Sequence, residues 1–403
     1  MRGSSVLKRL LLLCSLVLMP LAADELKEIL SKNKTLLFDY DMQINELESD
    51  KLSNSWINPV ILRYNQNHST QFPGQTIKTG NYSVSIDQPI FRSGGIYYAI
   101  RYADAYRSAN RTDIVLKRRQ MIGDAVSILF QLKKNRLQQQ KLKLQIKNDR
   151  IDIRQKRDSY NAGLLDSSFL DQAILKKSQD EANLLELQLN LLELNQRFSL
   201  LSDKKPERLK LPKLKLISKE NYRRENLELK RDTLLAEESE YQKNMTIAKY
   251  LPAVSLQGQY TAGDLNPMYG FIPRNENYYN YGFSISMPID INAYPDIESS
   301  KVARLRAATQ VLDRKKTVNE EYDWIRNSLK ILDRKIALAH KDEKVYASLY
   351  KLTKNLAEAG EKTSLDVAVM RNSREIRKLD QKIYQIDKQI QLLKLYIRVA
   401  NVL

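Results

Sequence analysis

Side chains able to do chemistry are few in this chain of 403 residues. It has two histidines, His68 in a stretch read as a surface loop and His340 on a helical stretch, and a single cysteine, Cys14. There is no HExxH, no phosphate-cradling glycine loop and no plausible nucleophile–base pair. An isolated histidine is explained by solvation or packing, and the acids are spread along helical faces where ion pairs account for them. The reading is a protein that is not an enzyme and needs no metal or cofactor. One acid stands apart. Asp366 follows Thr363-Ser364, where helix capping or the first-turn dipole would explain it.

The elements that position these residues are used twice, about 195 residues apart. Each copy has a Pro-headed alternating strand, a turn, and a second alternating strand ending near Pro. A very long helix, a Gly turn and another long helix follow. Pro59 answers to Pro252, Pro89 to Pro288, and Gly163 to Gly360. After the glycines, Leu170-Asp171-Gln172-Ala173 matches Leu365-Asp366-Val367-Ala368. A fixed internal period means one supersecondary unit reused, each copy needing neighbours to bury its faces.

Arg2, Lys8 and Arg9 precede an apolar run from Leu10 to Leu18, then Pro20-Leu21-Ala22-Ala23 before Asp24. This pattern predicts a signal peptide over 1–23, cleaved after Ala23. The run is too short to span a bilayer, which takes roughly 20 residues. Cys14 falls inside it, with bulky Leu13 where a lipoprotein signal wants a small residue, so the mature chain has no thiol. The formal charge is +18, or +15 without the three basic signal residues. Such a balance suits nucleic acid or an anionic surface. With no basic arm or recognition module in a secreted chain, nucleic acid is disfavoured; anionic lipid or cargo fits better, and bland surface charge is the leading reading.

Two segments switch to a period of two. Tyr82, Val84 and Ile86 alternate with Ser83, Ser85 and Asp87, while Tyr281, Phe283, Ile285 and Met287 alternate with Gly282, Ser284 and Ser286. Val254, Leu256 and Tyr260 alternate with Ser255, Gln257 and Gln259. The spacing predicts hairpins pairing 56–68 with 80–91 and 252–263 with 278–290, with Gly74, Gly80, Pro267, Gly270 and Pro273 in the loops. The strands have the length of tilted membrane strands. Tyr64, Phe72, Tyr82, Phe91, Tyr260, Tyr269, Phe271, Tyr278, Tyr279 and Tyr281 crowd their ends like an aromatic girdle. Four strands cannot close a membrane barrel, and open edges in lipid leave backbone groups unpaired, so the chain must associate. Two hairpins of a soluble sandwich are the other reading of these strands.

The remaining sequence is helical. From about Gly95 to Tyr160 there is no proline, which predicts a helix on the order of 100 Å long. Leu184, Leu187, Leu191, Leu194, Phe198 and Leu201, and later Ile376, Leu379, Ile383, Ile386, Ile390, Leu393 and Ile397, keep a 3–4 spacing that marks a coiled-coil seam. Leu185, Leu189 and Leu192 form a second, offset stripe, as expected of a helix packed on two sides. The organisation reads as an N-terminal helix (24–55), a first strand hairpin (56–92), a first helical hairpin (93–202) and a belt (203–219). A helix (220–250), a second strand hairpin (251–291) and a second helical hairpin (292–403) complete it.

In this order the chain resembles the TolC-like outer-membrane efflux proteins, over nearly all of the mature sequence. The carriers are Tyr250-Leu251-Pro252-Ala253-Val254, Ser83-Val84-Ser85-Ile86-Asp87-Gln88-Pro89-Ile90-Phe91, Ser284-Ile285-Ser286-Met287-Pro288-Ile289, and the turns Tyr160-Asn161-Ala162-Gly163-Leu164 and Ala359-Gly360-Glu361-Lys362. The resemblance implies an α+β membrane protein, a homotrimer whose twelve-stranded outer-membrane β-barrel, with four strands per chain, continues into an α-helical coiled-coil tunnel in the periplasm. It implies a passive exit duct for efflux or type I secretion. Its partners would be outer-membrane lipid, a periplasmic adaptor, and an inner-membrane pump of RND or ABC type.

By the same resemblance Ala162, Gly163, Leu164, Ala359 and Gly360 lie where the adaptor contacts the helix tips. Asp366, Lys362, Gly360 and Asp171 lie at the pore gate. Three copies of one acid around a narrow axis would repel one another and attract cations, which is a second account of Asp366. The chain departs from the family pattern with Val369 where a second pore aspartate would follow and Ala357 where an aromatic often precedes the glycine. About two extra residues in the first tip align Asp171, rather than Phe169, with the usual acid. The competing reading is a periplasmic coiled-coil adaptor or scaffold without its own pore. It explains the signal and the heptads but not two amphipathic hairpins of lipid-crossing length.

Overall fold

The computed structural model describes residues 28–72, 75–264 and 275–400. The signal peptide expected over 1–23, and the loop and girdle residues Gly74, Pro267, Tyr269, Gly270, Phe271 and Pro273, lie outside the described residues. In chain order the elements are α1 (Lys32–Ser53), β1 (Ile61–Phe72), β2 (Gln75–Phe91), α2 (Gly95–Asn161) and α3 (Ser167–Ser199). After a 3-10 turn at Pro206–Arg208 come α4 (Lys219–Arg224), α5 (Leu227–Lys249), β3 (Ala253–Asp264), β4 (Asn275–Ser286), α6 (Ala293–Glu358) and α7 (Ser364–Ile397).

Two compact units are present, each with its own core: residues up to Phe38 with Leu116–Asn226 and Val318–Leu403, and Asp39–Val115 with Leu227–Thr317. The second unit holds the sheet, whose four strands lie in sequence order and pair antiparallel throughout. Tyr64 faces Tyr82, Val84 faces Tyr260, and Tyr260 faces Tyr279. Beside the sheet, α2 turns small residues inward, with Ala99, Ala103, Ala105 and Ala109 all buried. Asp232 binds two cations from different helices: Arg231 Nη2 lies 2.9 Å and Arg314 Nε 2.8 Å from its oxygens, while Arg231 Nη1 reaches Asp113 at 3.0 Å.

The first unit is a helical bundle around Val126, Phe198, Tyr222, Val318, Leu392 and Leu395, all fully buried. Gly123 permits the closest approach. A Cβ there would run into the Ile397 side chain, so glycine lets α2 and α7 approach this closely without a shift. The Arg119 guanidinium donates to the carbonyl oxygens of Tyr396, Val399 and Ala400, satisfying acceptors orphaned at the end of α7. The belt has no ladder of its own, so side chains supply one. Gln389 Oε1 accepts from Leu214 N at 2.7 Å, and Tyr396 Oη both accepts from Lys215 N and donates to Lys215 O.

Several boundaries differ from the sequence expectation. Residues 56–60 are not strand: Gln88 holds this entry segment instead, donating to Trp56 O and accepting from Asn58 N at 3.0 Å. β2 begins at Gln75 rather than residue 80. β4 ends at Ser286, short of 290, because Pro288 has no N–H for a ladder. Residues 28–31 precede rather than join the first helix. The helix expected over 220–250 is broken at Glu225-Asn226, where Asn226 bridges Val399 as a one-residue strand pair.

Candidate functional site

Two features of the structure could serve a function, and the first is the pair of hairpin tips. α2 ends in a turn in which Leu164 N donates to Ser159 O at 2.9 Å, and Gly163 takes a left-handed φ of 72°. The second tip repeats this device: Glu361 N donates to Leu356 O at 2.9 Å across Gly360, with φ 81°. This is the αL glycine stop of a helix, and it explains why glycine sits at both turns. Ala162, Gly163, Leu164, Ala359, Gly360 and Lys362 are all exposed, and Leu164 presents 80% of its surface to solvent.

The next helix starts differently at each tip. Asp166 caps α3 by accepting from Ser168 N at 2.8 Å. At the second tip Thr363 and Asp366 form a reciprocal capping box: Thr363 Oγ1 accepts from Asp366 N at 3.2 Å, and Asp366 Oδ2 accepts from Thr363 N at 3.0 Å. The other carboxylate oxygen, Oδ1, accepts from Gln155 Nε2 at 3.0 Å. Both oxygens of Asp366 are therefore engaged within the chain. The Thr363 donors, with a smaller contribution from Gln155, hold its carboxyl below the usual aspartate value. Asp171 and Lys362 are exposed and make no hydrogen bond or ion pair among the described residues. The structure thus brings Gly360, Lys362 and Asp366 into one turn, and Asp171 stands alone on α3.

The Gln155 contact is the last rung of a ladder between α2 and α7. Lys134 binds Asp387 at 2.7 Å, Lys141 binds Asp380 at 2.7 Å, and Asn148 Oδ1 accepts from Asn372 at 2.8 Å. Lys134, Lys141, Asn148 and Gln155 recur every seven residues, the spacing that keeps a stripe facing one neighbour. Within the first hairpin, Asp149 and Asp180 are buried together, and Lys176 Nζ lies 2.8 Å from Asp149 Oδ1. Burial, and then the adjacent Asp149, push the Asp180 carboxyl above its usual value.

The second feature is the sheet face. Register places Leu62, Tyr64, Tyr82, Val84, Ile86, Leu256, Tyr260, Tyr279, Tyr281, Phe283 and Ile285 on one side. All are exposed, Phe283 by 70% and Tyr281 by 80%. The other side carries Arg63, Asn65, Ser83, Ser85, Asp87, Gln257, Gln259 and Ser284. A water-soluble sheet hides its apolar face; this one turns it outward. β1 and β4 each pair on one side only. Among the described residues no helix is long and apolar enough to cross a membrane, and no group of three acids, histidines or cysteines could hold a metal ion.

Neither family models nor curated proteins match the sequence. Solved structures do. The outer membrane protein VceC of Vibrio cholerae superposes with a TM-score of 0.70 at 16% identity, covering 91% of this chain and 92% of its own. The Campylobacter jejuni CmeC outer membrane channel gives 0.71 at 15% identity, over 93% and 84% of the two chains. The chain has the fold of these outer-membrane channels. The open-state MtrE outer membrane channel of Neisseria gonorrhoeae extends the series, with a TM-score of 0.64, 13% identity and coverage of 93% and 87%. At such identities the likeness is one of fold, and the outward apolar face is the local feature that a channel fold in lipid explains.

Gln155 and Asp166 belong to the tip geometry but escaped the sequence reading. The seven-residue spacing of Lys134, Lys141, Asn148 and Gln155 was the available signal. It is a polar stripe, and a search for apolar periodicity passes over it.

Proposed function

We propose that this protein is an outer-membrane channel-tunnel, a passive exit duct fed by an inner-membrane pump through a periplasmic adaptor. The observation that carries the reading is the sheet, with an apolar face outward, a polar face opposite, and two edge strands lacking outer partners. In lipid such edges must be paired, since each unsatisfied backbone group costs several kcal/mol. Pairing β4 of one copy with β1 of the next closes the sheet, and three copies give a twelve-stranded barrel whose polar face lines the lumen. The chain then resides in the outer membrane, its helical hairpins in the periplasm.

The tips are the natural place for adaptor contact and gating. Both are exposed, both are stopped by a positive-φ glycine, and the second is tied to α2 through Asp366 and Gln155. The pump is of RND or ABC type. The deciding experiment is the native mass of the detergent-extracted mature protein together with single-channel conductance in a planar bilayer. A trimer with small, discrete conductance supports the duct. A monomer or dimer that never conducts overturns it and leaves the periplasmic scaffold.

A further inference from the structure

The first unit contains an open cleft of about 1010 Å³ where the belt residues Leu211–Leu216 lie over α2, α6 and α7. Its apolar lining comes from Phe130 and Leu137 of α2, Leu329 of α6, and Ile386 and Leu392 of α7. Its rim is cationic from every side: Lys133 of α2, Lys213 and Lys215 of the belt, Arg326 and Lys330 of α6, and Lys382 of α7. None of these six makes an ion pair among the described residues. The only acid in the lining, Asp333, is taken by Lys388 at 2.6 Å. The volume is at the upper end of small-molecule sites, which run to roughly 1,000 Å³.

Six exposed cations without ion-pair partners among the described residues border one apolar trough and can offer charge-assisted hydrogen bonds to an anion lying in it. The acids that neutralise the nearby Lys134 and Lys141, Asp387 and Asp380, are already taken. The alternating Lys210-Leu211-Pro212-Lys213-Leu214-Lys215-Leu216 sets this pattern, sending Leu214 inward, where it is buried, and Lys213 and Lys215 outward. A ligand that satisfies both halves of the cleft is anionic at one end and hydrocarbon at the other.

We infer that this cleft binds an amphipathic anion, a single acyl chain lying on the Phe130–Leu137–Ile386 side with its carboxylate among the rim lysines. The charge complementarity is local and does not depend on the duct reading. It gives part of the chain's positive balance a specific use.

The test is photolabelling of the full chain in a nonionic detergent with a diazirine-bearing dodecanoate, the adducts being mapped by peptide mass spectrometry. The expected result is saturable labelling of peptides containing Phe130, Leu137, Leu211 or Leu216. That labelling should fall about tenfold or more in K330E/K382E, the loss expected when charge-assisted hydrogen bonds to the head group are removed. These side chains are exposed and unpaired, so the variant should keep its native mass. K213E on the belt gives an independent repeat should it not. High salt should weaken labelling, and the corresponding neutral dodecanol probe should label poorly. Equal labelling by the alcohol, adducts confined to the sheet face, or no saturable labelling of the assembled protein would each overturn the assignment. So would displacement by an acidic peptide in preference to dodecanoate, which would make the cleft a polypeptide site.

Discussion

Asp366 carries two jobs that can be separated. Its Oδ2 completes the capping box with Thr363, and its Oδ1 accepts from Gln155 on α2. Asp366→Ala removes both, and loss of a cap costs about 1 kcal/mol. Gln155→Ala removes only the link. On the gating reading both variants raise single-channel conductance, whereas a purely capping role lowers the thermal stability of the first and leaves conductance unchanged in both. The titration follows from the sign of the shift. The Asp366 carboxyl sits below its unfolded value, so its stabilisation is present at neutral pH and is lost as pH falls through the folded value. Asp180 runs the other way. Its carboxyl is raised by burial and by Asp149, so its contribution is present in acid and lost as pH rises through the folded value. Asp180→Asn should therefore gain on the parent protein as pH is raised from acid to neutral, a difference that thermal unfolding at several pH values would record. A constant difference across pH would refute the buried acid pair as its origin.

At the scale of elements, the two faces of the sheet should respond oppositely to charge. Phe283→Arg places a guanidinium on the outward apolar face, which in a lipid-facing strand costs about 2–4 kcal/mol near the bilayer midplane. Gln257→Arg, on the polar face, should be tolerated. Comparing the yield of heat-resistant oligomer in the membrane fraction decides it, and equal yields would remove lipid from the account. Gly123→Ala tests the bundle. Its Cβ would run into the Ile397 side chain, and overpacking of this kind typically costs about 1–3 kcal/mol, read as a lowered melting temperature. The alternation in Tyr82–Ile86 and Tyr281–Met287 made the hairpins legible because period two is a direct image of two chemically different faces. β1 and β2 run further than that signal, through the pairs Gln66–Gly80, Asn67–Thr79 and His68–Lys78, whose residue types carry no alternation of apolar and polar. The break at Asn226 was invisible because its cause, the bridge to Val399, is distant in sequence. The tips were legible at Gly163 and Gly360, where φ selects the residue type. The cap at Asp366 was legible after Thr363-Ser364, but its link to Gln155 was not, since that depends on a residue arriving from another helix.

At the scale of the whole molecule, the bundle leaves two seams uncovered. On α3, Leu175, Leu185, Leu189 and Leu192 are exposed, Leu185 by 65%. On α6, Trp324, Ile331, Leu338, Val345 and Leu352 recur every seven residues and are exposed as well. Their inward counterparts, Leu194 and Phe198 on α3 and Ile325 and Leu329 on α6, are already buried within the chain. A seam of heptad regularity left in water is a seam meant for another helix. Because the stripes are on different helices, a contact of α3 from one copy with α6 of the next can repeat head-to-tail, and it forms a ring where the rotation closes. The same handed closure would pair β4 with β1, so the helical and strand interfaces make one demand on symmetry. The expected outcome for Leu185→Glu with Leu189→Glu is dissociation into a monomer of unchanged helical content, because burial of each leucine is worth about 1.5–3 kcal/mol and only the assembled state has it. Leu194→Glu, aimed at the internal seam, should instead cost helicity. Native mass and far-UV circular dichroism on the two variants separate the interfaces. A trimer that survives the double exposed substitution would mean that this stripe faces the lumen or solvent rather than a neighbouring copy.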